Sequence, residues 1–246
     1  MAYDFLGLVN EVNRRLNEVE LTSANFATAT GFYAHAKDAV NASIRYINQS
    51  EFEWPFNHST NSVTLVAGTT RYAFPADAQT INFNTFRIQR NSLLGNDTVK
   101  LHVISYEEYL DKYVSQEYDS NTTGTGVPTM VFNTPELTFG LTPEPDEAYT
   151  LTYEYFTFPS DLSAYDDTPT IPVRFKHVIV DGAMHYAYLF RGNSQDAMLA
   201  KQKLDEGLKQ MTTLLINRFS NVRSYMIPQN TGGGGRIGFA RLPLGS

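Results

Sequence analysis

Apolar residues recur at three- and four-residue spacing from Phe5 through Leu8, Val9, Val12, Leu16 and Val19, with polar residues between them. That period predicts an amphipathic helix, and Asp4 stands where a cap for its first turn belongs. Thr22 or Ser23 introduces a second and longer helical pattern: Phe26, Ala29, Tyr33, Ala36, Val40, Ile44 and Ile47. Its alanines (Ala34, Ala36, Ala39, Ala42) would let a neighbouring helix approach closely. Trp54-Pro55-Phe56 ends the helical region, and the single tryptophan is expected to plug the core where the pattern changes.

From Ser62 the period becomes two. Val63–Val66 and Arg71–Phe74 flank Ala67-Gly68-Thr69-Thr70 and read as a hairpin. Further strands are expected at Ile81–Gln89, Val99–Ile104, Thr129–Phe132, Leu137–Leu141 and Thr150–Phe158, the last with Leu151, Tyr153 and Tyr155 on one face. Ser105 followed by Glu108 predicts a capped helical turn between strands, and 119–125 is a polar loop. Helix returns after Pro172, with Phe175, Ile179, Gly182, Ala183, Tyr186 and Leu189/Phe190 on one face. Gly192 and Asn193-Ser194 close that helix and cap a last one carrying Ala197, Leu204, Leu208, Met211, Leu215 and Phe219.

The order predicts an α+β fold. Helix pairs from both ends of the chain form one discontinuous bundle, and an antiparallel β-sandwich or barrel is inserted between them. The expected divisions are 1–58 and 172–221 for the helical part, 59–171 for the β insertion and 222–246 for a flexible docking tail. In that tail, Gly232–Gly235 form a joint. Tyr225, Ile227, Arg236, Ile237, Phe239, Arg241, Leu242 and Leu244 are spaced as anchors for a groove or sheet edge.

Charge sharpens the picture. The chain has 246 residues, a formal net charge of -7 and no cysteine, so disulfides and thiolate metal sites are out of reach. The negative sign argues against binding DNA through its phosphates. Thirteen acids stand against one base, Lys112, between Ser105 and Thr170, whereas Val222–Ser246 holds three arginines and no acid. A basic tail on an acidic body suits a tail that meets an acidic or mixed partner surface. Neither a secretory leader nor a membrane-length apolar run is evident, so a soluble protein made in a cytoplasm is expected.

Catalytic signals are absent. There is no Gly-x-Ser-x-Gly, and the glycine run lacks the Lys-Ser/Thr of a phosphate-binding loop. His177, Asp181 and His185 stand at i, i+4 and i+8, half of a metal site in spacing but without a fourth ligand. The preferred reading of that row, with Gly182, Ala183 and Tyr186, is helix packing or a subunit interface. No cofactor and no enzymatic activity are expected.

Several stretches resemble the head-to-tail adaptor (connector) proteins of short-tailed phages, of the tail tubular protein A type. They are Leu8-Val9-Asn10-x-Val12-x-Arg14-Arg15-Leu16-Asn17-Glu18, then Glu53-Trp54-Pro55-Phe56, then Gly68-Thr69-x-x-Tyr72-x-Phe74-Pro75. Gly126-x-Pro128, Leu141-x-Pro143-x-Pro145-Asp146-x-x-Tyr149-x-Leu151 and Tyr155 with Pro159 extend the resemblance, as does Gly182-Ala183-x-x-Tyr186-Ala187-x-x-Phe190-Arg191. It implies a structural virion protein at the head–tail junction, synthesised in a bacterial host. It further implies a ring of identical subunits, a dodecamer, below the portal protein, contacting tail tube, nozzle or fibre proteins. DNA would pass through without specific binding, and an acidic channel wall would let the duplex slide. Two alternatives stay open: another tail-ring component such as a nozzle or tail terminator, and a glycan- or receptor-binding virion protein using tyrosine-rich strands.

Overall fold

A computed structural model of the chain describes residues 3–92, 95–115 and 124–216. Asp4 accepts the Gly7 N–H at 2.7 Å and opens helix α1 (Phe5–Arg15). Asn17, left-handed at φ +57°, follows its end, as a short amide side chain tolerates. The second helical pattern is not one helix. It divides into a single turn α2 (Ser23–Phe26) and a long α3 (Phe32–Ser50), separated at Gly31 with φ +62°. The apolar period runs across that break because Phe26 and Tyr33 reach the same core from either side of it.

The strands are β1 (His58–Thr64), β2 (Arg71–Ala73), β3 (Ala78–Ser92), β4 (Gly95–Lys100), β5 (His102–Val103), β6 (Thr125–Gly126), β7 (Met130–Asn133), β8 (Thr138–Thr142), β9 (Glu144–Pro145) and β10 (Thr150–Thr157), with the short helix α4 (Tyr106–Lys112) between β5 and β6. Ser105 caps α4 by accepting the Glu108 N–H at 3.1 Å. One sheet runs β1-β10-β3-β4 and is antiparallel throughout; the other runs β2-β8-β7-β5, parallel only at β5–β7. Phe86, Ile88, Leu151, Tyr153 and Tyr155 of the first sheet face Val131, Phe139 and Leu141 of the second, so the insertion is a sandwich. At its centre Phe86 lies flat on Tyr153, 4.4 Å between ring centres, and edge-on to Phe139 at 5.3 Å.

The hairpin expected across 63–74 does not form. Val63 pairs with Leu151 in one sheet, whereas Tyr72 pairs with Phe139 in the other. The link crosses between sheets, and Gly68 at φ +78° donates its N–H to the Pro145 carbonyl at 3.0 Å. Alternation marks a strand but not its partner, and burying Val63 and Tyr72 against distant strands wins over the local turn. The strand expected at 99–104 is likewise divided, β4 pairing with β3 and β5 with β7.

After Pro172 a 3-10 turn (Val173–Phe175) leads into α5 (Lys176–Phe190). Asn193 then caps α6 (Ser194–Leu215) by accepting the Asp196 N–H at 3.3 Å. Helix α5 packs on α6, α3 and α1, so residues from both ends of the chain share one core: Phe5, Leu8 and Val12 with Val178, Ile179, Ala183, Leu204 and Met211. Gly182 makes the closest crossing. Ser43 Oγ donates to the Ile179 carbonyl at 2.8 Å, and a Cβ on Gly182 would stand 2.2 Å from that oxygen. The outer seam is polar: Arg15 meets Asp181 at 2.7 Å, Lys176 meets Glu11 at 2.8 Å, and Arg191 meets Glu18. The Phe5 N–H also donates to the Asp167 carbonyl at 2.8 Å and the Leu6 N–H to Tyr165 at 3.0 Å.

Bundle and sandwich meet at Asn57, which is 3% exposed. Its Nδ2 donates to Asn48 Oδ1 at 2.7 Å, its Oδ1 accepts from Thr170 Oγ1 at 3.0 Å, and its carbonyl accepts from Thr157 Oγ1 at 3.1 Å. One residue therefore holds the end of α3, the exit of β10 and the approach to α5. Trp54, fully buried in the helical core, donates its Nε1–H to the Ile47 carbonyl at 2.9 Å and stacks on Phe56.

Two outcomes are expected. In Gly182→Ala the new methyl displaces Ser43 from its bond to Ile179; overpacking of about 1–3 kcal/mol exceeds the roughly 1 kcal/mol gained in helix preference, so thermal unfolding shifts down. Adding Ser43→Ala recovers part of that loss, because the hydroxyl is the nearest obstacle. The second outcome concerns acid. Burial pushes the Glu11 carboxyl up, but the hydrogen bonds and charges of Lys176 and Arg15 outweigh it and hold it below its ordinary 4.5. A depressed carboxyl stabilises the fold fully above its unfolded value and loses that contribution as pH falls through the folded one. Glu11→Gln should therefore flatten the acid side of a stability–pH profile below about 4.5 and lower stability at neutral pH; an unchanged acid limb would contradict the assignment.

Candidate functional site

The anchors expected in the tail, Tyr225, Ile227, Arg236, Ile237, Phe239, Arg241, Leu242 and Leu244, lie outside the described residues. The row on α5 is described in full. Its polar members do not converge. His177 is exposed, Asp181 is engaged by Arg15 of α1, and His185 Nδ1 lies 2.8 Å from the Ala197 carbonyl of α6. Gly182 and Ala183 are buried in the bundle against α3 and α6. Tyr186 packs half-buried at the core's edge, edge-on to the His185 ring. Among the described residues, no three His, Cys, Asp or Glu side chains gather where they could hold a metal ion.

Two acids of the β10–α5 link, Asp161 and Asp167, have partners within the chain. Asp167 Oδ2 accepts the N–H groups of Ser163 and Ala164, each at 2.7 Å, which holds its carboxyl below the ordinary value. Asp161 lies 3.6 Å from Arg45 of α3. The tyrosine rows on the strands face inward: Tyr149, Tyr153 and Tyr155 are buried. Burial drives the Tyr149 hydroxyl's pKa upward, and its hydrogen bond to Asp146 at 2.7 Å adds to the effect. Buried rings stack on one another and offer no platform for a sugar.

Among the described residues, exposed apolar side chains gather on the last two helices. Along α6 the inward phase is filled by Ala197, Ala200, Leu204, Leu208 and Met211, yet Met198 (73% exposed), Leu199 and Leu214 (69%) face outward. A groove of 630 Å³ runs beside His185, Met198, Leu199 and Gln202, and a second of 390 Å³ lies among Lys209, Gln210, Thr213 and Leu214. At the tip of the bundle away from the sandwich, Phe190 stacks on His35 at 3.8 Å, with Leu189 half-exposed beside it. Exposed apolar stripes of this kind mark contact surfaces rather than chemistry. The off-phase apolars of α6 were available as a sequence signal, since a helix with a single buried face has no use for Met198, Leu199 and Leu214 on the opposite side.

No helix among the described residues is long and apolar enough to cross a membrane. Comparison with known proteins fits the picture of a contact-making structural chain. No individual curated protein matches it. Residues 3–229 match the family described as SU10 adaptor protein, a span that takes in both helical ends and the strands between, and stops before the glycine run. The chain belongs to the SU10 adaptor protein family of phage head-to-tail adaptors, and is thus a structural component of the virion.

Proposed function

We propose that the protein assembles as a closed ring of identical subunits, a dodecamer, beneath the portal, where it continues the DNA channel and attaches the tail. The observation that carries this reading is the family match over residues 3–229. The exposed apolar stripe on α6 supports it, because a ring of one chain needs two unlike surfaces that fit each other and close. The helical part, 1–58 with 172–221, makes the ring contacts, with exposed His177 available to a neighbour. The β insertion, 59–171, meets tail tube, nozzle or fibre proteins. The segment 222–246 grips the portal, its three arginines and its apolar anchors (Tyr225, Ile227, Ile237, Phe239, Leu242, Leu244) seeking an acidic or mixed surface. Acids on the inner wall repel the phosphates of the passing duplex, so DNA is conducted and not bound.

The test is co-sedimentation with the portal protein of the same phage, comparing the full chain with one ending at Ile227. The full chain should bind to saturation in many copies per portal, and the shortened chain should bind far more weakly. Equal binding by the two removes the tail from portal docking. Binding by neither overturns the position beneath the portal.

A further inference from the structure

The β7–β8 hairpin turns through Pro135-Glu136-Leu137, and the Thr134 N–H and hydroxyl close it on the Thr138 carbonyl, each at 3.0 Å. Three-residue hairpin loops place their last residue in the left-handed conformation, a position made for glycine or asparagine. Here it is a leucine, at φ +56°. A branched apolar side chain there is an outlier, and this one is 81% exposed, more than any other large apolar side chain among the described residues. Strain and exposure thus fall on one residue. Such a residue makes sense as a knob for another molecule.

The same chain carries a shallow surface of matching character. The 390 Å³ groove on the second half of α6 is lined by Leu214, Thr213, Gln210 and Lys209. Leu137 is preceded by exposed Glu136, and Lys209 is the charged side chain of the groove, so apolar meets apolar and acid meets base. Their levels also agree. Ala73 pairs with Thr138, and four residues on, Asp77 accepts from Phe158 N–H where the sandwich meets the bundle, so the hairpin tip lies at the junction end of its sheet. Gly207 of α6 packs on Val178 near the start of α5, and residues 208–215 continue beyond it towards that same junction. We infer that Leu137 of one copy seats in the groove at Leu214 and Lys209 of the next, forming the two unlike halves of the ring contact. This inference rests on the ring reading above.

Because the chain has no cysteine, a single engineered pair reports this contact alone. The full-length Leu137→Cys/Leu214→Cys chain, assembled on portal-bearing heads and oxidised, should yield a ladder of disulfide-linked multimers. A Leu137→Cys/Val19→Cys chain should not. Independently, Leu137→Asn relieves the backbone: its Tm should stay level or rise by roughly 1–3 °C, while assembly weakens roughly tenfold or more. If the parent chain assembles in many copies but the first pair gives no ladder, or Leu137→Asn assembles normally, the contact is overturned and the ring stands. A lowered Tm in Leu137→Asn overturns it too, by showing that Leu137 serves its own fold. If the parent chain never assembles in more than one copy, both readings fall.

Discussion

A carboxamide taken out of water must have its hydrogen bonds met inside the protein; Asn48 and Thr170 meet those of the Asn57 side chain, and Thr157 donates to its backbone carbonyl. Asn48 from the end of α3, Thr157 from the exit of β10 and Thr170 before α5 all converge on it. The insertion leaves and re-enters the bundle at adjacent points, so these bonds fix both crossings relative to each other. Losing any one partner would strand a buried polar group at about 1–3 kcal/mol. That constraint ties together a helical part and a sandwich whose hydrophobic cores are otherwise separate.

The bundle itself answers a different requirement, that both ends of the chain find each other across the insertion. Apolar burial supplies most of the drive, with Phe5, Leu8 and Val12 of α1 set into the same core as Val178, Ile179 and Ala183 of α5. The ion pairs along the seam are partly exposed and add little energy. They discriminate instead, since Arg15 on Asp181 and Lys176 on Glu11 are satisfied in one register of α1 on α5.

Much of this was legible in the residues. The Asp4 cap, the period of α1, the alternation of Leu151, Tyr153 and Tyr155 and the helical hairpin at the end all follow from local rules. Three features were not. The break at Gly31 was hidden because Phe26 and Tyr33 keep the helical spacing across it. The switch of sheets after β1 was hidden because alternation carries no information about which distant strand will pair. The Asn57 node was invisible because its partners come from positions far apart in sequence. As for surfaces, the sequence offered the row on α5 and the tail. The structure turns attention to Met198, Leu199 and Leu214, whose off-phase positions on α6 the sequence already carried, and to Leu137, whose exposed place at a hairpin tip it did not.

The account stands on the two chain ends forming one cooperative unit locked to the sandwich. Native-state hydrogen exchange, resolved by peptide, tests this most directly. The account predicts that amides of α1 and α5 open with the same free energy, and that Asn57→Ala, which removes the side-chain bonds to Asn48 and Thr170, lowers protection at the crossings around 57–58 and 168–170 while the interiors of both cores remain protected. Independent opening of α1 at much lower free energy, or no change around 57–58 and 168–170 in Asn57→Ala, would contradict it.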